Sequence, residues 1–519
     1  MKVALLLGIA GLSLGAAAPP SQNVDLLIRG GTIYTGSTEP FVGDVAIRGD
    51  RIVAVGKRVD ATAARTIDAR GMIVAPGFID PHTHMADALA SDKAEERLVP
   101  AFLMQGVTTA FIGNDGGGSP DVGRTLASAA TKPVGINFGA YTGFGAVREA
   151  VVGMADRAPT ADELARMKGL VATAMCQGAL GLSTGLFYAP QSFAKTDEVV
   201  ALAREAGRRG GTYDSHIRDE SSYTVGLTAA IDEAIRIGRE GGLPSHISHI
   251  KALGVDVQGQ APAIIARIEA ARRAGQRVTA DQYPWSASGT SLVASLMPLW
   301  AQDGGRSALL KRFADAGLGE RLRAGIVENL RKRGGADKLL IVEGKYANRT
   351  LAAVAQELGQ DPVEAAISVI RIQDPGVVSF NQSEADIAAF MRQPWVMTGS
   401  DASGGHPRVY GSFARKYAKY VVADRVLTLR QFIERSSSLT ADTFGLEGRG
   451  HLRKGAFADV VVFDPKTYAA RATYEQATLL ASGVRTVVVN GVLAVENGRM
   501  TGKAAGRALP HKPTAGTCG

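Results

Sequence analysis

The chain has 519 residues, enough to bury a large core and to divide into more than one domain. Its 58 basic and 50 acidic residues leave a net charge of +8 and a pI near 9.4. The basic residues are scattered rather than gathered in blocks, which argues against a nucleic-acid partner and leaves only a weak preference for acidic small molecules.

Met1-Lys2, the apolar run from Val3 to Leu14 and the small residues Gly15 to Ala18 match the charged, hydrophobic and cleavage regions of an export signal. Residues 1–18 are therefore expected to be removed, with the cut near Ala16 or Ala17 because Pro19 would hinder one after Ala18. The apolar run is shorter than a membrane span, and no cysteine follows it to carry a lipid. The mature protein is expected in the periplasm or outside the cell, with no stable membrane association.

From Val24 to Gly56, short strand-like runs (Asp25–Arg29, Asp44–Arg48, Arg51–Val55) are broken by Gly30-Gly31 and Gly49-Asp50. The C-terminal stretch has the same character: Ala458–Phe463, Thr486–Val489, an Asn490-Gly491 hairpin signal and Val492–Val495. Neither end has enough strands to stand alone. Residues 19–75 and 451–505 are expected to pair into one small β-sandwich domain, with 76–450 inserted between them and 506–519 as a flexible tail.

Within 76–450, strand-like segments alternate with amphipathic helical ones, which predicts an α/β fold with parallel strands. Polar residues recur at the C-terminal ends of these strands, the arrangement of a (β/α)8 barrel rather than an open sheet. The stretch 285–339 breaks the rhythm and reads either as a lid or inserted subdomain over the barrel mouth or as a plain long connection.

Only eight histidines occur, and most lie at such strand ends. His82 and His84 close Phe78-Ile-Asp-Pro-His-Thr-His84; on a strand, i and i+2 side chains point the same way and can hold one divalent ion between two imidazoles. His216 follows Gly211-Thr-Tyr-Asp-Ser, His249 ends Ser245-His-Ile-Ser-His249, and Asp401 ends Trp395-Val-Met-Thr-Gly-Ser-Asp401. His246 is read as structural; His451 and His511 as incidental. Cys176 and Cys518 read as neither a disulfide framework nor a cysteine zinc site, so any metal must be held by imidazole and carboxylate.

These residues resemble the amidohydrolase superfamily, and within it the N-acyl-D-amino-acid deacylase (D-aminoacylase) group. The resemblance spans Ala75–His84, Gly106–Thr109, Gly178–Leu186, Ser215–Glu220, Ser248–Lys251, Asp281–Pro284, Gly399–Asp401, His406–Arg408 and Leu452–Phe463. It implies one metal position at His82, His84 and Asp401, a second at His216 and His249, and a bridging anion between them. Where the group usually has Gly-Asn-Cys, this chain has Gly113-Asn114-Asp115, so Asp115 is expected to supply the bridge as a harder ligand, ahead of a supporting or turn role. A second departure is Gly143-Phe144-Gly145, where relatives often carry a histidine in the middle. One or two zinc ions, or another divalent metal, are implied.

The reaction expected is hydrolysis of an N-acyl-D-amino acid by water activated on the ion, whose pKa falls from about 15.7 to roughly 7. Asp401 is the expected general base. The resemblance implies that Lys251 helps to hold the substrate; Arg408 is the expected carboxylate anchor, through a two-pronged clamp that Tyr283 assists, with a surface salt bridge or structural hydrogen bond as the alternative for all three. Phe187 reads evenly as pocket wall or core. Two other readings stay open: an exported dipeptidase or related hydrolase of D-residue amides, and a noncatalytic metal-dependent binding protein on the same scaffold.

Overall fold

The computed structural model describes residues 22–518; the expected signal, residues 1–18, lies outside them. Both chain ends enter one nine-stranded sheet. Its centre is the antiparallel pair Ile73–Pro76 and Val460–Phe463, in which Val460 faces Pro76 and Phe463 faces Ile73. The strand Gln22–Ile33 extends the sheet on one side, and the hairpin Val484–Val489/Val492–Glu496 on the other. Asn490 and Gly491 turn that hairpin with φ of 47° and 81°, as a two-residue turn matched to strand twist requires. A Cβ on Gly491 would lie 1.9 Å from the Gly49 carbonyl oxygen.

The sheet then folds back on itself. Ile52 N donates to Ala456 O and Ala458 N to Asp50 O, so the far strand Arg51–Gly56 meets the segment leading into Val460. Leu26, Ile28, Val45, Ile47, Val460 and Val488 fill the enclosed core. This is the expected two-ended β-domain.

The intervening chain forms eight parallel strands among the described residues: β1 (Phe78–Asp80), β2 (Val107–Ile112), β3 (Asn137–Ala140, resuming at Thr142–Gly143), β4 (Gly181–Gly185), β5 (Thr212–His216), β6 (Ser245–Ile247), β7 (Val278–Gln282) and β8 (Val396–Thr398). They pair in sequence order, and the ring closes just beyond β8, where Asp401 N donates to His82 O and His84 N to Ala402 O. The strands are buried almost throughout, as parallel strands flanked by helices must be. Local signals place the helices: Thr160 and Glu163 form a reciprocal capping box that starts Ala161–Cys176, the side chain of each satisfying an orphan backbone N–H.

Between β7 and β8 the chain leaves the barrel. Ala287–Ser291, Gly376–Phe380, Leu339–Ile341 and Arg349–Thr350 form a four-stranded antiparallel sheet. Helices Gly319–Lys332, Leu351–Leu358 and Pro362–Ile372 pack on it around a core of its own that includes Leu296, Ile326, Leu339, Val363 and Ile370. The break at 285–339 is thus an inserted subdomain, and it runs on to Phe380. Its second half has the same helix and strand periods as a barrel unit, so the sequence pattern could not separate the two.

Two further expectations are corrected. The segment 506–518 is a strap across the base of the barrel: Phe138 N donates to Arg507 O, Leu509 N to Phe138 O and His511 N to Gly178 O. A disulfide joins Cys518 to Cys176 across 342 residues of sequence. Two cysteines that far apart carry no spacing signal, which is why the pair was unreadable. Reduction of the disulfide, or Cys518→Ser, is expected to cost on the order of 2–4 kcal/mol, lowering the thermal midpoint; an unchanged midpoint with and without reductant would contradict a staple in the strap.

Candidate metal centre and pocket

The polar residues at the C-terminal ends of β1, β5 and β8, with those just beyond β2 and β6, converge. Ligand atoms of His82, His84, Asp115 and Asp401 form one group, and those of Asp115, His216 and His249 a second. Asp115 belongs to both. Its Oδ1 lies 3.4 Å from His82 Nε2, and its Oδ2 lies 3.4 Å from His84 Nε2 and 3.6 Å from both His216 Nδ1 and His249 Nε2. Asp401 Oδ1 is 3.2 Å from His84 Nε2 and 3.7 Å from His82 Nε2.

These separations are mostly too long for good hydrogen bonds. They do suit neighbouring donors around one zinc ion, which at bonds near 2.0–2.1 Å in a tetrahedron stand about 3.3 Å apart. His82 Nε2 and Asp115 Oδ1 are also buried with no hydrogen-bond partner among the described residues. Buried polar atoms rarely stay unpaired without reason, and a donor set of imidazole and carboxylate fits zinc or a similar divalent ion.

The electrostatics agree. Burial opposes ionisation of Asp115, yet the His82 and His249 imidazoles outweigh it and hold the carboxyl well below its usual range. Burial and Lys251 both push His249 down, but Asp401, Asp115 and Glu220 carry it up to about 9. The carboxylates draw positive charge into the cluster, which is the demand a divalent cation answers.

Backbone geometry explains why these side chains meet. Asp115, His249 and Asp401 all adopt left-handed conformations, with φ of 55°, 36° and 49°. Such backbone is costly for ordinary residues and persists where surrounding structure holds it. The loop after β2 is held on both sides of Asp115. Asn114 Nδ2 donates to Pro81 O and to Asp214 Oδ2, while Gly116 N donates to Ser183 Oγ and Gln191 Nε2 donates to Asp115 O. Gly143 gives this loop its room, since a Cβ there would lie 2.2 Å from Gly116 O. Phe144 itself is core, so that departure places no side chain in the site.

A further tier of carboxylates supports the cluster, and sequence pattern alone assigns these residues no individual roles. Asp281 on β7 accepts from His246 Nε2 at 3.1 Å and places the same oxygen 3.7 Å from His82 Nδ1. Asp80 accepts from the backbone amides of His82 and Ser400, tying β1 to β8. Glu220 Oε1 lies 3.1 Å from His249 Nδ1 and 2.6 Å from Lys251 Nζ. Glu220 shares His249 Nδ1 with the Lys251 ammonium, 2.7 Å from that nitrogen, and the two hold the ring with Nε2 toward Asp115. Burial raises Glu220, but Lys251 and the two histidines bring it down to about 2. The expectation for His246 is met: it is a buried brace between Thr279 and Asp281.

The cluster floors a cavity of about 330 Å³. Lys251, Tyr283, Arg408 and Phe187 all line it. The sixth strand ends at Ile247, so Lys251 reaches the cavity from the following loop rather than along the strand. Tyr283 places its ring 5.5 Å from the Lys251 ammonium and 5.1 Å from the Arg408 guanidinium. Arg408 is not free: its Nη1 stands 2.6 Å from Asp401 Oδ2, and its Nη2 donates to Ser403 Oγ. His406 holds that turn by accepting from Arg408 N and donating to Ala287 O. Phe187 packs near His216 and Tyr223 and is pocket wall rather than core. His451 and His511 lie elsewhere, against Asp442 and the Arg209 carbonyl.

Comparison with known proteins converges on the same frame. Residues 65–495 match the model of the family described as Amidohydrolase family. A D-aminoacylase from Alcaligenes xylosoxydans xylosoxydans is 34% identical over 94% of this chain and 98% of its own length. An N-acyl-D-glutamate deacylase from the same organism is 33% identical over 91% of this chain and 93% of its own length. Among solved structures, the N-acyl-D-glutamate deacylase of Bordetella bronchiseptica, complexed with zinc and a phosphonate mimic of the tetrahedral intermediate, superposes with a TM-score of 0.81 at 31% identity, covering 94% of this chain and 100% of that one. The barrel with its strand-end cluster, the two-ended β-domain and these whole-length matches agree: the chain belongs to the amidohydrolase family.

Proposed function

We propose that the protein is a metal-dependent hydrolase of N-acyl-D-amino acids, releasing a carboxylate and a free amino acid. The observation that carries this reading is the convergence of four imidazoles and two carboxylates into two groups that share Asp115, on the floor of a cavity that also holds Lys251 and Arg408. Zinc is the ion expected, as in the Bordetella bronchiseptica deacylase. His82, His84 and Asp401 hold one position, His216 and His249 the other, and Asp115 serves both. When bound, the ion polarises the scissile carbonyl and lowers the pKa of water.

The chain's own groups do the rest. Asp401 is the general base: its carboxylate takes the proton of the attacking water and passes it to the leaving nitrogen. Burial opposes its charge, but the neighbouring Arg408 guanidinium and the His249 imidazole keep it ionised. Tyr283 stands between Lys251 and Arg408 and spaces the two cations on one wall, where a substrate carboxylate meets both. Asp281 and Glu220 brace imidazoles of the cluster, and Asp80 holds the backbone of His82 and Ser400.

The dipeptide alternative has less support. A dipeptide brings a free ammonium into the pocket, and the carboxylates there are committed: Glu220 to Lys251, Asp401 to Arg408, Asp115 to the imidazoles. The noncatalytic alternative leaves the Asp401–Arg408 pair beside the metal ligands without a purpose.

We also propose that the protein is exported. The pattern of residues 1–18 and the Cys176–Cys518 disulfide support this, since disulfides persist in oxidising compartments. The intact mass of the protein from its native host should match a chain starting after Ala16 or Ala17; a chain that retains Met1 and stays in the cytoplasm refutes export.

Zinc-loaded protein is expected to cleave N-acetyl-D-amino acids and to leave their L-enantiomers and D-residue dipeptides largely untouched. Asp401→Asn should lower turnover by roughly 10²- to 10⁴-fold with an unchanged circular dichroism spectrum. Near-normal turnover by the variant removes Asp401 from the chemistry; turnover of dipeptides alone moves the enzyme to the peptidase reading.

A further inference from the structure

Of the two relatives compared above, one is named for an acidic side chain and the other for none in particular, yet they are about equally distant, at 33% and 34% identity. Overall similarity therefore does not choose between a neutral and an acidic side chain. The cavity wall does.

Besides the histidines, three basic side chains line the cavity among the described residues: Lys251, Arg408 and Arg333. Lys251 is neutralised by Glu220 at 2.6 Å, and Arg408 by Asp401 at 2.6 Å. Arg333, only 2% exposed, has no carboxylate within ion-pair distance among the described residues. Its Nε donates to Ser295 O and its Nη1 to Ser379 Oγ, both neutral acceptors. The acids nearby are engaged elsewhere: Asp256 with Arg331, and Asp219 with the backbone amides of Ser221, Thr224 and Gly226. A guanidinium taken out of water without an anion is a strongly unfavourable arrangement unless a ligand supplies the charge.

A second observation points the same way. Tyr223 lies beside Arg333, its ring 5.6 Å from the guanidinium carbon. Its hydroxyl oxygen is buried and has no hydrogen-bond partner among the described residues. An unpaired O–H donor beside a guanidinium that has only neutral acceptors is a receptor for one carboxylate. The tyrosine ring packs in turn on Phe187, which packs on His216. The pair thus stands two aromatic rings out from the metal cluster. Arg333 and Tyr223 come from different parts of the fold, the inserted subdomain and the loop after β5, so the insertion completes the pocket as well as covering it.

Resting on the deacylase reading above, we propose that Arg333, with Tyr223, is a specificity-determining site for a second carboxylate of the substrate, and that the preferred substrates are N-acyl-D-amino acids with acidic side chains. The α-carboxylate goes to the Lys251/Arg408 wall and the side-chain carboxylate to Arg333.

The test compares N-acetyl-D-glutamate with its neutral isostere N-acetyl-D-glutamine. The zinc-loaded enzyme should favour the glutamate in kcat/KM by roughly 10- to 100-fold, mostly through KM. Arg333→Met should remove that preference while leaving glutamine turnover within a few-fold. Because Arg333 also braces the insertion, Ser379→Ala serves as a control: it deletes the internal hydrogen bond, keeps the guanidinium and should retain the preference. Equal use of both substrates by the wild type overturns the assignment, as does an equal loss on both in Arg333→Met, which would make Arg333 a structural brace or an α-carboxylate anchor. Absence of turnover on every N-acyl-D-amino acid, neutral or acidic, would instead overturn the deacylase reading on which this one rests.

Discussion

The site is organised around one buried carboxylate. Asp115 stands within 3.6 Å of four imidazole nitrogens, and it can do so only because its backbone enters the left-handed region directly after β2. Asn114, Ser183, Gln191 and the side-chain-free Gly143 all hold that one turn. The conformational cost is met by a barrel that is otherwise regular, which is the usual relation between strain and function. Without Asp115 the two ligand groups would share no residue.

The barrel contributes order in a simple way. Parallel strands end together on one face, so residues far apart in sequence, from His82 to Asp401, arrive at the same place with their backbones hydrogen-bonded to one another. The β8-to-β1 closure is the clearest case: the amide of Asp401 donates to the carbonyl of His82, so two ligands are also the last link of the ring. Above this floor the inserted subdomain supplies part of the wall, and Arg333 and Ser288 reach the cavity from it. Chemistry on the strand ends and selectivity on the insertion is the division expected of a fold that changes substrates by changing loops.

Much of this was legible in the sequence, for definite reasons. His82 and His84 announce themselves by the i, i+2 spacing on a strand, and His216, His249 and Asp401 by apolar runs that stop at a polar residue. Asp115 was legible only through a resemblance, because a carboxylate in a glycine-rich loop looks like any turn. Asp281, Glu220 and Asp80 are not legible individually, because their task is to hold other residues in place, which leaves no spacing of its own. Arg333 was invisible: it is one arginine in a charged helical stretch, and only the packing of the insertion shows that it is buried. The strap and its disulfide failed for a related reason, since Cys176 and Cys518 are brought together by tertiary structure alone.

Anomalous diffraction at the zinc edge from crystals of the zinc-loaded protein tests the shared role of Asp115 most directly. Any ion in the cluster should have an Asp115 oxygen among its ligands, together with His82, His84 and Asp401 on one side or His216 and His249 on the other. Zinc bound by the histidines with the Asp115 side chain turned away, or zinc located outside this cluster, would contradict it.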